Sequence, residues 1–415
     1  MTINGPCNAP DVVDVVALGE SMVTFLPSRP GRLADVPSFE RAIGGAESNV
    51  ACGLAAAGHS VRWVSRVGAD GFGDHLVETI AAYGVDVSAV GRDAARPTGV
   101  YFRTAGDRAT EAHEVAYYRA GSAASAMSVE NVDPGAVSAG RLLHLSGITA
   151  ALSEGCLGLM RELTAPREGR PPVSFDVNYR AGLWGDGDGP GVLLELARGA
   201  DVVFVGEDEA EEAWGVTGGP EAVRAALPEP GVLVVKQGAV GATAFVSPAG
   251  GRGLVAPTRR SRTCHSPAPP GLAGSPRLQG TQPAGSRAAG AAPDPKRGDT
   301  PPARASDTSL RPAEAPGTFA PALSVDVVAS TGAGDAFAVG FLSATLRGLP
   351  LPARLRHGHL WAAAALTVPG DLAAPPSRDH ADRLVALDDA SWEKLRLGPG
   401  WTQAAERADE EVRTP

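Results

Sequence analysis

At 415 residues, with 43% hydrophobic and 20% charged side chains, the chain is long enough to bury a sizeable core and has the make-up of a soluble globular protein. Its formal net charge of −10 argues against a nucleic-acid or anionic-membrane partner, so an anionic ligand has to be held by local cations. Cys7, Cys52, Cys156 and Cys264 lack CxxC spacing, and Met1 to Val16 lacks a basic region followed by a long apolar core; reduced thiols, no signal peptide, no membrane span and a cytoplasmic location are expected.

In chain order, apolar β-type runs alternate with helical ones. Val12 to Leu18 precedes Asn49 to Ala57, Arg62 to Val67 precedes Gly73 to Tyr83, and Leu142 to Leu145 precedes Glu154 to Leu163. Pro172 to Val177 then precedes Gly191 to Ala197, Val202 to Val205 precedes Glu207 to Trp214, and Val232 to Val235 leads on toward a helix after Asp335. This alternation predicts an α/β fold with a mostly parallel sheet covered on both faces, its ligands at the carboxyl ends of the strands. Leu33 to Ile43 and Thr98 to Arg119 break the rhythm, being short, alternating and rich in Tyr and Phe. From about Thr258 to Ala322 the chain is crowded with Pro, Ala, Gly, Ser and Arg, a composition that cannot repay chain-ordering entropy, and a disordered insertion is expected over 258–322.

Ser330-Thr331-Gly332-Ala333-Gly334-Asp335-Ala336-Phe337 joins small residues to one acid where a helix should begin. Gly332 and Gly334 permit close backbone approach, and the first N–H groups of the helix have no intrahelical partner, so the turn can cradle an anion. A carboxylate beside bound phosphate is repelled unless it accepts the proton of a hydroxyl attacking that phosphate, which is the role that suits Asp335. Taken alone, the stretch also reads as a Gly-rich turn with Asp335 as an ordinary helix-start residue, and that is the commoner case.

The stretch is not alone. Gly44-Gly45-Ala46-Glu47-Ser48-Asn49-Val50-Ala51 and the Thr331 to Asp335 turn resemble the two signatures of PfkB-type, ribokinase-like carbohydrate kinases. Asp176-Val177-Asn178-Tyr179-Arg180-Ala181-Gly182-Leu183-Trp184 and Tyr117-Tyr118-Arg119 look like the 2-keto-3-deoxygluconate kinases within that family. The resemblance covers about residues 12–400, leaves 401–415 as a tail, and implies a three-layer α/β/α sandwich with a small β-sheet lid built from about 33–43 and 98–119. Those two pieces also read as plain surface hairpins.

The resemblance further implies ATP and Mg2+ as cofactors, a sugar acid as small-molecule partner, and a homodimer as one plausible assembly. Asp335 takes the base role, with the N–H groups of Gly332, Ala333 and Gly334 receiving charge from the transferred phosphoryl group. Gly45, Asn49, Tyr101, Tyr117, Arg119, Arg180 and Asp371 fall to the substrate, and Asn178, Lys236, Gly238, Gly241 and Thr331 to the nucleotide. Arg119 and Arg180 suit a carboxylate because guanidinium donates two parallel hydrogen bonds to a planar anion. Each also reads as a solvated surface side chain, Tyr101 and Tyr117 as sheet-face residues, Asp371 as a solvated loop acid, and Lys236-Gln237-Gly238-Ala239-Val240-Gly241 as a tight turn. His357 and His359 read as structural.

Two positions depart from the family pattern. Ala329 stands where many relatives carry an Asp that helps bind a monovalent cation, which puts K+ activation in doubt. Gly206-Glu207-Asp208-Glu209 replaces an Asn-x-x-Glu element, keeping Glu209 as a water-mediated magnesium contact while losing the amide. The rival readings are a fructokinase or another sugar kinase of the family, and a non-catalytic sugar or nucleotide sensor. A nicotinamide oxidoreductase is disfavoured, since no GxGxxG follows the first strand.

Overall fold

The computed structural model describes residues 12–29, 31–104, 114–185, 187–247 and 316–403. Its strands, in chain order, are β1 (Val13–Leu18), β2 (Met22–Pro27), β3 (Phe39–Gly44), β4 (Val61–Gly68), β5 (Val90–Asp93), β6 (Val100–Arg103), β7 (Val115–Tyr118), β8 (Gly140–Ser146), β9 (Val173–Asp176), β10 (Val202–Gly206), β11 (Val232–Lys236), β12 (Gly241–Val246), β13 (Thr318–Pro321), β14 (Ser324–Val325) and β15 (Arg396–Leu397). Nine of them form one sheet in the order β13-β12-β11-β10-β9-β8-β1-β4-β5, parallel except where β12 meets its two neighbours.

The period of two along each strand splits the core between the sheet's faces. On β1, Val15 and Ala17 join the helices Ala46–Ala56, Gly71–Ala82, Ala333–Leu346 and Leu351–Leu366, whereas Val16 and Leu18 join Glu154–Thr164 and Gly189–Gly199 on the other side. The result is the expected α/β/α layering. Chain order runs outward from β1 in both directions, so β1 and β8 flank the point where the winding reverses, which is where ligands of such sheets bind. Glu20, Ser146, Asp176, Gly206 and Lys236 all lie at or just beyond strand carboxyl ends there.

A second sheet, β3-β2-β6-β7, is built from the aromatic pieces singled out in the sequence, and it gains β2, which sequence pattern had not assigned to it. Phe25 and Phe102 stack at 4.6 Å across it, a cross-strand aromatic pair of the kind that holds small sheets together. Only Phe39 onward of the expected 33–43 piece is strand.

Two boundaries move. Residues 258–315 lie outside the described residues, but Thr318–Pro321, expected to belong to the insertion, is the edge strand β13, with Ala320 buried against the core. Its Pro-flanked sequence suits an edge, where a missing N–H costs nothing. Trp401, expected to open the tail, is also buried in the core, where an indole gains from leaving water. His357 and His359 are buried, and burial pushes both down to about 4, which keeps them neutral parts of the helix Leu351–Leu366.

Candidate functional site

The turn before Ala333–Leu346 begins at Gly332, which has φ 78° and whose missing Cβ would stand 2.5 Å from the Asp371 carbonyl oxygen. Conformation and space therefore both demand glycine. Gly334 follows, with Lys236 Nζ 3.4 Å from where its Cβ would be, so a cation sits over the exposed N–H end of the helix. Asp335 is the next residue; its Oδ2 accepts a 2.8 Å hydrogen bond from Asn49 Nδ2 on the helix Ala46–Ala56. That reach depends on Gly53, whose missing Cβ would lie 2.7 Å from Val339 Cγ2, so the two helices touch where a side chain would separate them.

Burial pushes the Asp335 carboxyl up to about 7; Asp176 and Asp371 add to the rise, while the Asn49 amide and Lys236 oppose it. Lys236 Nζ lies 3.1 and 3.2 Å from the Asp176 oxygens. Burial works against its charge, but Asp176, Glu209 and Asp335 outweigh that and hold the ammonium above its ordinary value. A titratable acid near neutrality, an amide and a fixed cation thus share one helix tip.

Beside it lies a second group. Tyr101 donates a 2.7 Å hydrogen bond to Asp371 Oδ2, and the two pack where Gly44 has no side chain, its Cβ position lying 2.2 Å from the Tyr101 hydroxyl. Gly45 is equally tight, with the Glu20 carbonyl 2.4 Å from its Cβ position. Arg103 Nη2 is 2.7 Å from Asp371 Oδ1 and donates to the Pro369 carbonyl at 2.9 Å, while its Nη1 donates to Thr331 Oγ1 at 2.6 Å.

The expected anion-binding residues have partners of their own. Arg119 pairs with the buried carboxylate of Glu20, lies 5.8 Å from the Tyr117 ring centroid, and leaves Nε buried without a partner. Arg180 is mostly exposed and its Nη1 donates to the Tyr179 carbonyl at 2.7 Å and to Glu209 Oε1 at 3.3 Å, so the structure ties it to Glu209 rather than to Asp335. Glu209 Oε2 also accepts from the Gly206 N–H at 2.7 Å. Asn178 holds φ 42°, a strained backbone for a side-chain-bearing residue, and its Oδ1 is buried without a partner. Gly238 and Gly241 belong to the β11–β12 hairpin; Gly238, at φ 55°, has open space around it, while Gly241 is covered by Ala320 and Phe319 of β13.

Sequence reading gave no site role to Arg103, Glu20, Glu47 or Asp176, although the last two stand in the quoted motifs. Arg103 stands two residues after Tyr101 on a strand, hence on the same face, and that spacing was the available signal. Among the described residues no group of three or more His, Cys, Asp or Glu could hold a metal ion by itself. The carboxylates near the turn, Asp176 and Glu209, suit a hydrated magnesium that arrives with a polyphosphate. A cavity of about 550 Å3 is lined instead by Arg62, Ser65, Arg66 and Asn131 among others, none of them a residue of this site. Function is therefore read from the charged helix tip and not from cavity size. No described helix is long and apolar enough to cross a membrane.

Known proteins resemble the chain in sequence and in fold. The model of the pfkB family of carbohydrate kinases matches residues 13–263 and 313–378. Over 238 residues the chain is 35% identical to a 2-dehydro-3-deoxygluconokinase of Thermoproteus tenax, covering 56% of this chain and 72% of that protein. It is 35% identical over 205 residues to the enzyme of the same name from Bacillus subtilis (strain 168), covering 48% of this chain and 62% of the relative. A PfkB protein from Polaromonas sp. JS666 superposes with a TM-score of 0.65 at 29% identity, over 89% of this chain and 99% of that one. The chain belongs to the pfkB family of carbohydrate kinases.

Proposed function

We propose that the protein transfers the γ-phosphoryl group of ATP to a hydroxyl of a sugar acid, 2-keto-3-deoxygluconate, to give its 6-phosphate. The observation that carries this reading is the Asp335 carboxyl, placed at a helix tip beside Lys236, hydrogen-bonded by Asn49 and raised to about 7. A base with that value near neutral pH balances being unprotonated against proton affinity.

Asp335 accepts the proton of the acceptor hydroxyl as that oxygen attacks phosphorus in line with the leaving oxygen, and burial favours the neutral acid it becomes. Asn49 fixes the carboxylate's rotamer through Nδ2 and offers its unpartnered Oδ1 to a sugar hydroxyl. The N–H groups of Gly332, Ala333 and Gly334 receive the charge that gathers on the migrating phosphoryl oxygens, with Lys236 reinforcing them. Magnesium would supply positive charge to the nucleotide phosphates, and Asp176 and Glu209 are the residues that would hold its water shell. Tyr101 and Asp371 line the sugar side, Asn178 the nucleotide side. Arg119, paired with Glu20, and Arg180, once released from Glu209, are the guanidinium groups that would take the sugar carboxylate.

The test is phosphoryl transfer from ATP across a panel of 2-keto-3-deoxygluconate, its galacto epimer, gluconate and fructose, with product position read by NMR. The sugar acid is expected to have the highest kcat/KM. Preference for fructose would overturn the sugar-acid part, and ATP consumption with no acceptor phosphorylated would overturn the whole.

A further inference from the structure

Arg103 is the residue whose surroundings the family reading leaves without a purpose. It ends β6 in the small sheet, its side chain is 5% exposed, and its guanidinium reaches three partners that belong to the main body. Thr331 opens the glycine turn, while Pro369 and Asp371 lie in the loop after Leu351–Leu366. Those two loops meet at Gly332, where the Asp371 backbone fills the space of a side chain.

A buried guanidinium is costly unless its charge is met; here Nη1 and Nη2 reach both loops while Nε has no partner, so the charge is met only when both loops are in place. Asp371 is doubly held, by Arg103 at Oδ1 and by the Tyr101 hydroxyl at Oδ2; Tyr101 and Arg103 are alternate residues of one strand. The small sheet therefore grips the turn that carries Asp335 through side chains of a single strand.

We propose that Arg103 is a positioning residue that couples the small sheet to the phosphoryl-transfer turn, acting through Asp371 and Thr331, so that the acceptor side and the anion cradle are aligned together. The inference rests on the sugar-kinase reading above. Displacing reacting groups by about 1 Å costs on the order of 10²-fold in rate, which sets the scale of what the fork secures.

The test compares wild type, Arg103→Ala, Arg103→Lys, Asp371→Asn and the Arg103→Ala/Asp371→Asn double variant, using the best acceptor that wild type accepts. Arg103→Ala is expected to lower kcat by about 10²-fold and raise the acceptor KM, with the ATP KM within about twofold of wild type. Arg103→Lys, one ammonium in place of a fork, is expected to recover part of the loss. In the Asp371→Asn background the further loss from Arg103→Ala should be smaller than in wild type, because one of the two groups it acts through no longer carries its charge. Amide exchange of residues 100–103 should quicken in Arg103→Ala while β8 stays protected.

Near-wild-type kcat in Arg103→Ala, fully multiplicative losses in the double variant, or equal rises in both KM values would overturn the proposal. Should Arg103→Ala fail to fold, Arg103→Lys with and without Asp371→Asn carries the same comparison, since neither leaves a bare buried carboxylate. If wild type phosphorylates no acceptor, the functional reading fails by itself, and unchanged exchange at 100–103 would then sink the coupling separately.

Discussion

Two carboxyls in this protein share a local setting and have opposite surroundings. Glu47 and Asp335 both lie in the first turn of a glycine-preceded helix, both are pushed up to about 7 by burial, and their helices touch at Gly53. Glu47 is 1% exposed, accepts a hydrogen bond from Thr149 at 2.6 Å and presses against the space that Gly19 leaves empty. Asp335 is partly exposed, shares its oxygen with an amide and has the Lys236 cation nearby. A raised carboxyl is therefore no mark of catalysis by itself; access for a reacting atom and a charge to act upon make the difference.

The sharpest way to break this comparison is kinetic. Asp335→Asn is expected to lower kcat by roughly 10²–10⁴-fold with the ATP KM nearly unchanged, whereas Glu47→Gln should stay within about tenfold of wild type. Similar losses in steady-state assays of the two variants would mean that Glu47 takes part in chemistry or that Asp335 does not.

Stability does not separate the pair, since both values are raised, but it tests the burial of Glu47 through a variant at that residue. Glu47 has a folded value raised from 4.5 to about 7, so the folded state holds its proton longer than the unfolded chain does. The stabilisation this gives is fully present below the unfolded value and is lost as pH rises through about 7. Glu47→Gln removes the loss, and urea unfolding at pH 5 and pH 8 should show a wild-type decline larger than the variant's by up to about 3 kcal/mol. Equal declines would refute the buried-acid assignment.

The smallest effect is a shift of the pH profile. Wild-type kcat/KM should rise with pH on an acid limb near 7, the value held by Asp335. Asn49 lowers that value, so Asn49→Ala should move the limb upward by about one unit and cost about tenfold at pH 7. An unmoved limb would dissociate Asn49 from the base.

Local patterns in the chain carried the parts of this site made of neighbours: the glycine turn, Asp335, and the helix that presents Asn49. Alternation of strand and helix likewise foretold the layering. What stayed hidden was made by distant pairing. Arg103 meets Thr331 across 228 positions, and Asn49 meets Asp335 across 286, distances over which composition says nothing about contact. Only the fold shows Glu20 holding Arg119. Arg180 was read for its planar fork, whereas its observed partner, Glu209, comes from the next strand-helix unit. Thr318–Pro321 was absorbed into a Pro-rich interval because a four-residue edge strand leaves almost no periodic signal.

The pairing of β12 with β13 has an engineering consequence. Ala244 faces Thr318 across an antiparallel ladder, so the chain departs from and returns to one sheet edge with its two ends a strand's width apart. Closing such a gap depends only logarithmically on how many residues bridge it. That edge is accordingly a natural splice point, where a tight reverse turn or a reporter domain could replace the native span while the kinase turn on the following helix keeps its register.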